Sequence, residues 1–246
     1  MSSLYLYAIA QATPELPDGR TGIQGAALRL VNGGGLSVVC SPISAGTPRP
    51  RRRNLKVHHA VIKRLHATTT VLPMAFGVIA ASAAEVRDFL TAHATPFLER
   101  LDALEGRVEI GVRVTWNVDD IFAHFVNRHD ALRTQRDAVF GGQGPVSRQD
   151  KIELGEHFEA LRADERHRHQ QTITSHLHPV CDEVLIDEVR DETDVARLTC
   201  LVSEAAITDF EAAVHRAAQT FDDSFTFTYT DAMAPYSFAD VAYDAA

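Results

Sequence analysis

Ten residues near the middle of the chain, Arg107 to Trp116 (RVEIGVRVTW), constrain the fold more than any other stretch. Val108, Ile110, Val112, Val114 and Trp116 share one side of an extended chain. Arg107, Glu109, Gly111, Arg113 and Thr115 share the other. Strict period-two alternation over this length describes a strand with one apolar and one polar face. The same residues on a helix would scatter around its circumference and leave no face to bury. A sheet is therefore required, and segments of helical period must cover its apolar side.

The chain on either side supplies those segments. Leu4 to Ala10 is apolar on both faces, as in a strand covered from two sides. Ala26–Val31 and Leu36–Ser41 read as strands joined through Asn32-Gly33-Gly34-Gly35, residues that accept positive φ. Residues 11–24 and 41–53 read as loops, the second ending in Arg51-Arg52-Arg53. A helix follows, with Leu55, His59, Ile62 and Leu65 or His66 at helical spacing. From Val71 to Ala83 no residue is charged, which describes a buried seam; Pro73 places it at a turn or a sheet edge. Ser82 and Glu85 form a capping box. Pro96 restarts the chain as a second helix, which Gly106 closes.

Beyond the central strand, Asn117 can cap a helix bearing Ile121, Phe122, Phe125 and Val126. Gly141 to Pro145 breaks the pattern, and Ser147 caps a long polar helix reaching about His176. Glu183–Val189 and Arg197–Ser203 read as strands joined through residues 190–194. Ala205–Thr220 reads as a helix and Ser224–Thr230 as a last strand, with Phe225, Phe227 and Tyr229 on one face. The fold class is α+β with two domains, residues 1–106 and 107–232. The second has the βαββαβ order of a ferredoxin-like unit with an enlarged first helical connection. Residues 233–246 form a tail. Its Tyr236 and Phe238 are expected to pack back on the body, because leaving a large apolar side chain exposed forgoes ~1.5–3 kcal/mol.

Charge divides the chain at the same place. Residues 1–106 hold 11 Lys/Arg against 7 Asp/Glu, and residues 107–246 hold 13 against 26. The acidic second part and the net charge of −9 argue against nucleic-acid binding, where phosphate attraction dominates affinity. No run approaches the ~18 apolar residues that span a bilayer, and MSSLYLYAIA lacks the basic start of a signal peptide. Three cysteines without CxxC spacing suit a reducing cytoplasm.

No catalytic constellation emerges. Seven of the twelve histidines cluster, at His58, His59 and His66 and again at His167, His169, His176 and His178, without zinc-ligand spacing and without HExxH. Helix-face histidines, solvated or hydrogen-bonded, account for them. GxSxG is absent, and neither Gly-rich stretch continues as a phosphate-binding loop. The acidic pairs at element ends are ordinary caps. No metal, cofactor or turnover is expected. Arg51, Arg52 and Arg53 could hold an anionic partner or remain a solvated loop.

Several stretches together resemble the gas vesicle protein F/L family (GvpF/GvpL). They are Tyr5 to Ile9, Leu36 to Ser41, His59, Leu72-Pro73 with Phe76-Gly77, Leu101 to Val114 around Gly106 and Glu109, and Pro235-Tyr236-Ser237-Phe238. Their order and spacing carry the resemblance, which spans nearly the whole chain. It implies two α+β domains, the second ferredoxin-like, in a non-enzymatic assembly or minor structural protein of gas vesicles. It further implies location at the gas vesicle in the cytoplasm, with the apolar shell protein and other accessory proteins as partners and no membrane. Arg51, Arg52, Arg53, Tyr236 and Phe238 are the candidate partner-binding residues. The alternative class is a small-molecule enzyme or ligand-binding protein using the ferredoxin-like domain, since such a fold hosts many functions.

Overall fold

The structure is a computed structural model that describes residues 3–11, 14–16, 22–44, 46–142 and 145–243. It mixes helices and sheets, and the chain separates into two compact units. Unit 1 comprises Met1–Glu109, Ser203–Ala205 and Ala232–Ala246; unit 2 comprises Ile110–Val202 and Ala206–Asp231.

Unit 1 is built on β1 (Ser3–Gln11), β2 (Arg29–Gly33), β3 (Leu36–Ile43), β4 (Val71–Pro73) and β5 (Ile79–Ala80). The sheet order is β2-β3-β1-β4, with β5 also pairing with β1. β1 therefore has neighbours on both sides, and Leu4 to Ala10 are all buried. Its pairing with β3 slips between Leu6 and Ala8. This bulge shifts the alternation by one residue, so Tyr5 and Tyr7 and then Ala8 and Ala10 join the same core cluster. An all-apolar strand conceals such a shift, because both of its faces read alike. The uncharged seam forms β4 and β5 at the sheet edge, where Pro73 is tolerated.

The β2–β3 hairpin turns at Gly34 and Gly35, with φ of 59° and 79°. Both values lie in the left-handed region that favours glycine. A Cβ on Gly34 would also stand 2.9 Å from the Ala94 Cβ and 3.0 Å from the Leu90 carbonyl oxygen. Gly34→Ala is expected to lose about 2 kcal/mol in urea denaturation through strain and overpacking. A loss below about 0.5 kcal/mol, the ordinary range for a surface change, would speak against this turn.

Helix α1 (Arg52–His66) buries His58, Val61, Ile62 and Leu65. Ile62 and Leu65 are buried as expected, but on the first turns His58 points in and His59 stays exposed. Arg52 and Arg53 belong to this helix rather than to the loop before it. α2 (Ala83–Ala92) starts at Ser82, whose Oγ accepts from the Glu85 N–H, while the Glu85 carboxylate accepts from the Ala81 N–H. α3 (Ala94–Ala103) restarts at His93, three residues before Pro96. Proline has no N–H for the carbonyl four residues back and its ring crowds that carbonyl, so the break falls there. Gly106, with φ of 63°, ends the segment.

Unit 2 holds most of the alternating strand. β6 (Arg107–Trp116) sits beside β9 (Phe225–Tyr229) and β8 (Asp194–Ser203), and β7 (Glu183–Ile186) completes the order β7-β8-β6-β9. β6 pairs antiparallel with β9, and β7 antiparallel with β8. α4 (Ile121–Arg128), α5 (Asp130–Phe140) and α6 (Arg148–Leu177) lead from β6 to β7; α7 (Ile207–Ala218) leads from β8 to β9. The cap of α4 is Asp120, accepting from the Ala123 N–H at 2.8 Å, rather than Asn117. Asn117 still donates its N–H to the Ser224 carbonyl, which keeps it with the sheet. Ser147 caps α6 through the Asp150 N–H. β7 stops at Ile186, and β8 begins at Asp194, three residues earlier than expected. Tyr229, at the end of the aromatic face of β9, is 48% exposed.

Candidate functional site

α1 and its N-cap carry three of the five candidate residues. Arg51 is its N-cap and provides no side-chain acceptor, and no acidic residue lies in the first turn. Arg51, Arg52 and Arg53 are exposed. None of the three guanidinium groups has an ion pair within the described structure. Positive side chains at the positive end of a helix dipole cost about 0.3–1 kcal/mol each at low salt. The junction is nevertheless ordered: the Arg49 carbonyl accepts from the Arg51 N–H at 2.7 Å and from the Asn54 Nδ2 at 3.0 Å. The helix end and its side chains together form a cationic surface.

Seven residues further on, about 10 Å along the helix axis, His59 Nδ1 lies 3.0 Å from the Tyr236 hydroxyl. The tail is held at several points. Met233 and Glu109 exchange backbone hydrogen bonds of 2.8 and 3.0 Å. The Glu109 carboxylate, on the nominally polar face of β6 and yet buried, accepts from the Ser237 N–H and hydroxyl at 2.6 and 3.2 Å. The Phe238 carbonyl accepts from the Arg100 Nε. Phe238 is 2% exposed, and Tyr236 packs against the cluster formed by Tyr5, Tyr7, Val61 and Leu65. Both aromatic candidates are thus engaged in internal packing.

His58 anchors α1 to the sheet. Its Nε2 lies 3.0 Å from the Met74 carbonyl oxygen, which can only accept, so Nε2 carries the proton. Nδ1 then accepts from the Tyr5 hydroxyl at 3.0 Å, and that oxygen accepts from the Gly77 N–H at 3.1 Å. Burial pushes His58 down to about 4, against the opposing effect of the Met74 bond, so the ring is neutral at physiological pH. This satisfied chain of bonds is structural. Neighbouring histidines share the same local sequence signal, and only the tertiary contact with Tyr5 distinguishes His58 from His59.

In unit 2, β7 and β9 are the edge strands. β7 presents Ile186, 59% exposed, and β9 presents Tyr229. Neither was in the sequence-derived set, although both stand where an alternating pattern ends. Among the described residues no group of three or more His, Cys, Asp or Glu could hold a metal ion. No helix there is long and apolar enough to cross a membrane. In the Gly-rich stretch, Gln143 and Gly144 lie outside the described residues.

Known proteins resemble this chain throughout. Residues 3–240 match the family model described as gas vesicle synthesis protein GvpL/GvpF. Gas vesicle protein F of Nostoc sp. is 26% identical over 247 residues, covering 98% of this chain and 99% of that protein. Gas vesicle protein F of Streptomyces sp. is 28% identical over 253 residues, covering 97% and 100%. The crystal structure of GvpF from Anabaena sp. superimposes with a TM-score of 0.84 at 23% identity, covering 99% of this chain and 100% of that one. At that identity the superposition shows a shared fold.

Proposed function

This chain belongs to the gas vesicle synthesis protein GvpL/GvpF family, and from that premise we propose that it is a non-enzymatic assembly or minor structural protein that binds the gas vesicle shell subunit. The carrying observation is the family match over residues 3–240. The physical rationale is that an apolar subunit aggregates unless its surface is covered before it polymerises.

In this reading residues 1–106 and 107–232 act as two domains, with 233–246 as a docked tail. The order β7-β8-β6-β9, with helices after its first and third strands, supports a ferredoxin-like second domain with an enlarged helical connection. Its β7 edge, with Ile186 exposed, offers backbone groups for strand addition and an apolar side chain beside them. Arg51, Arg52 and Arg53 are the exposed part of the candidate set and would orient an acidic surface of the shell subunit or of another accessory protein. Tyr236 and Phe238 would act indirectly, by holding the tail against α1. The protein would work at the gas vesicle within the cytoplasm.

Co-expression with the shell subunit tests the reading. The two are expected to co-purify, and deletion of this protein is expected to reduce vesicle number or alter vesicle shape. Normal vesicles in the deletion strain, together with no co-purification, would sink it.

A further inference from the structure

We propose that this chain joins to copies of itself head to tail, the outer face of α1 in one copy docking on the acidic β7 edge of the next. Residues 19–84 hold nine Lys/Arg and no Asp or Glu. Six of the nine lie on α1 or at its N-cap: Arg51, Arg52, Arg53, Lys56, Lys63 and Arg64. All six are exposed, and none has an ion pair among the described residues.

The arrangement differs from an ordinary solvated helix face. At 3.6 residues per turn, Arg52, Lys56 and Lys63 fall within about 40° of one another, opposite the face that buries Val61 and Leu65. Arg53 and Arg64 stand in a second row beside them. Between Lys56 and Lys63 the exposed residues are His59 and Ala60, which leave a gap without Lys or Arg. Solvated helices gain from opposite charges three or four residues apart, whereas Arg52 and Lys56 set like charges at that spacing. The helix is therefore destabilised by its own charges until an acidic surface covers them.

The matching surface lies in the same sequence. Residues 182–194 hold seven Asp/Glu and one Arg. They form the edge strand β7 and the turn into β8. Glu183, Asp187, Glu188, Asp191 and Glu192 are exposed. The Glu183 and Glu188 carboxylates have no partner among the described residues. Ile186, 59% exposed, stands between these two glutamates in sequence. Arg52 to Lys63 covers about 16 Å of helix, and Glu183 to Glu188 about 17 Å of extended chain. The two rows match in length and oppose in sign, and Ile186 meets the gap at His59 and Ala60. Charge on an edge strand also discourages pairing with another strand. That accounts for the acids of β7 but not for the acid-free run that builds α1.

The two surfaces differ, so each contact leaves one α1 face and one β7 edge open, and the contact repeats into a ring or an open chain. The end copies of an open chain keep a surface for other proteins. Sedimentation equilibrium of the full chain, with no other protein present, tests the contact. At low salt the average mass is expected to rise with concentration past that of a dimer. It should return to the monomer at about 1 M salt, where the Debye length is about 3 Å. Two neutralised variants are compared with the parent: Lys56→Gln/Lys63→Gln/Arg64→Gln on α1, and Glu183→Gln/Glu188→Gln on β7. All five residues are exposed, and thermal melts check that both variants fold. Each variant is expected to weaken self-association about tenfold or more. Each also keeps one intact surface, so an equimolar mixture is expected to form a 1:1 dimer and stop there. A parent that stays monomeric at low salt or stops at the dimer, association unchanged in either folded variant, or a mixture that forms no dimer overturns the proposal. So does a monomeric parent that binds anionic lipid vesicles or a DNA duplex through α1, which would assign that face to another polyanion. The shell subunit is absent from every arm, so this result and the co-purification result can fail separately.

Discussion

Phe238→Ala is expected to destabilise unit 1 by about 3–5 kcal/mol in chemical denaturation, the range for truncating a buried aromatic side chain. The side chain is 2% exposed although it lies near the chain's end. Three further attachments depend on its seat. Arg100 donates to its carbonyl, Ser237 beside it satisfies the buried Glu109 carboxylate, and Tyr236 meets His59. Losing the aromatic anchor would free the tail and cost the buried Glu109 carboxylate its two Ser237 donors, which adds to the loss. A terminal segment can also fray to relieve strain, which limits the total to the free energy of undocking. Limited proteolysis provides the second measurement: cleavage after residue 232 should be slow in the parent and fast in the variant. A loss below about 1 kcal/mol with unchanged proteolysis would show that the tail contributes little to the unit.

The tail could be read from sequence because large aromatic side chains near a chain's end are costly to leave in water. The elements set by local chemistry could be read for a similar reason. Ser82 and Ser147 each lie three residues before an acidic residue and at the start of a helical pattern, and both are caps. Asn117 and Asp120 show where local chemistry stops being sufficient. Either side chain can cap a helix, and the choice follows from the Asn117 N–H, which is held by Ser224 more than a hundred residues later. Which of the two neighbouring histidines of α1 turns inward is decided in the same way, by Tyr5 and Tyr7 against His58. The bulge in β1 left no sign because each face of that strand is apolar.

The candidate site divides along the same line. Three consecutive arginines are visible in any reading, but their position at the positive end of a helix is visible only once the helix is seen to begin at Arg52.

Asp194 is the position where reading by polarity failed most clearly, and it carries the second large expected effect. It closes an acidic run, Asp191-Glu192-Thr193-Asp194, that reads as solvent-exposed loop, yet its side chain is 0% exposed and begins β8. Burial alone would raise its carboxyl. The Arg113 guanidinium at 2.6 Å and the N–H groups of Arg190 and Asp191 at 3.0 and 3.1 Å outweigh that effect and hold the carboxyl below the usual range. Arg197 lies 3.6 Å from the other carboxylate oxygen. Asp194→Ala would remove the acceptor for the turn and leave Arg113 facing a void. Because Arg113 remains 45% exposed and can rehydrate, the expected cost is about 3 kcal/mol, the low end for breaking a buried pair. The sign of the pH dependence follows from the depressed folded-state pKa. The stabilisation is fully present above the unfolded carboxyl's value of about 3.9 and is lost as pH falls through the lower folded value. Urea denaturation of parent and variant from pH 7 to pH 3 should therefore give a gap that is level from pH 7 to about pH 5 and narrows below about pH 4. Asp194→Asn, which keeps the shape and one acceptor but not the charge, should fall between the two. A gap that stays constant to pH 3, or an alanine variant as stable as the parent, would mean that the ion pair with Arg113 does not hold the start of β8 in place.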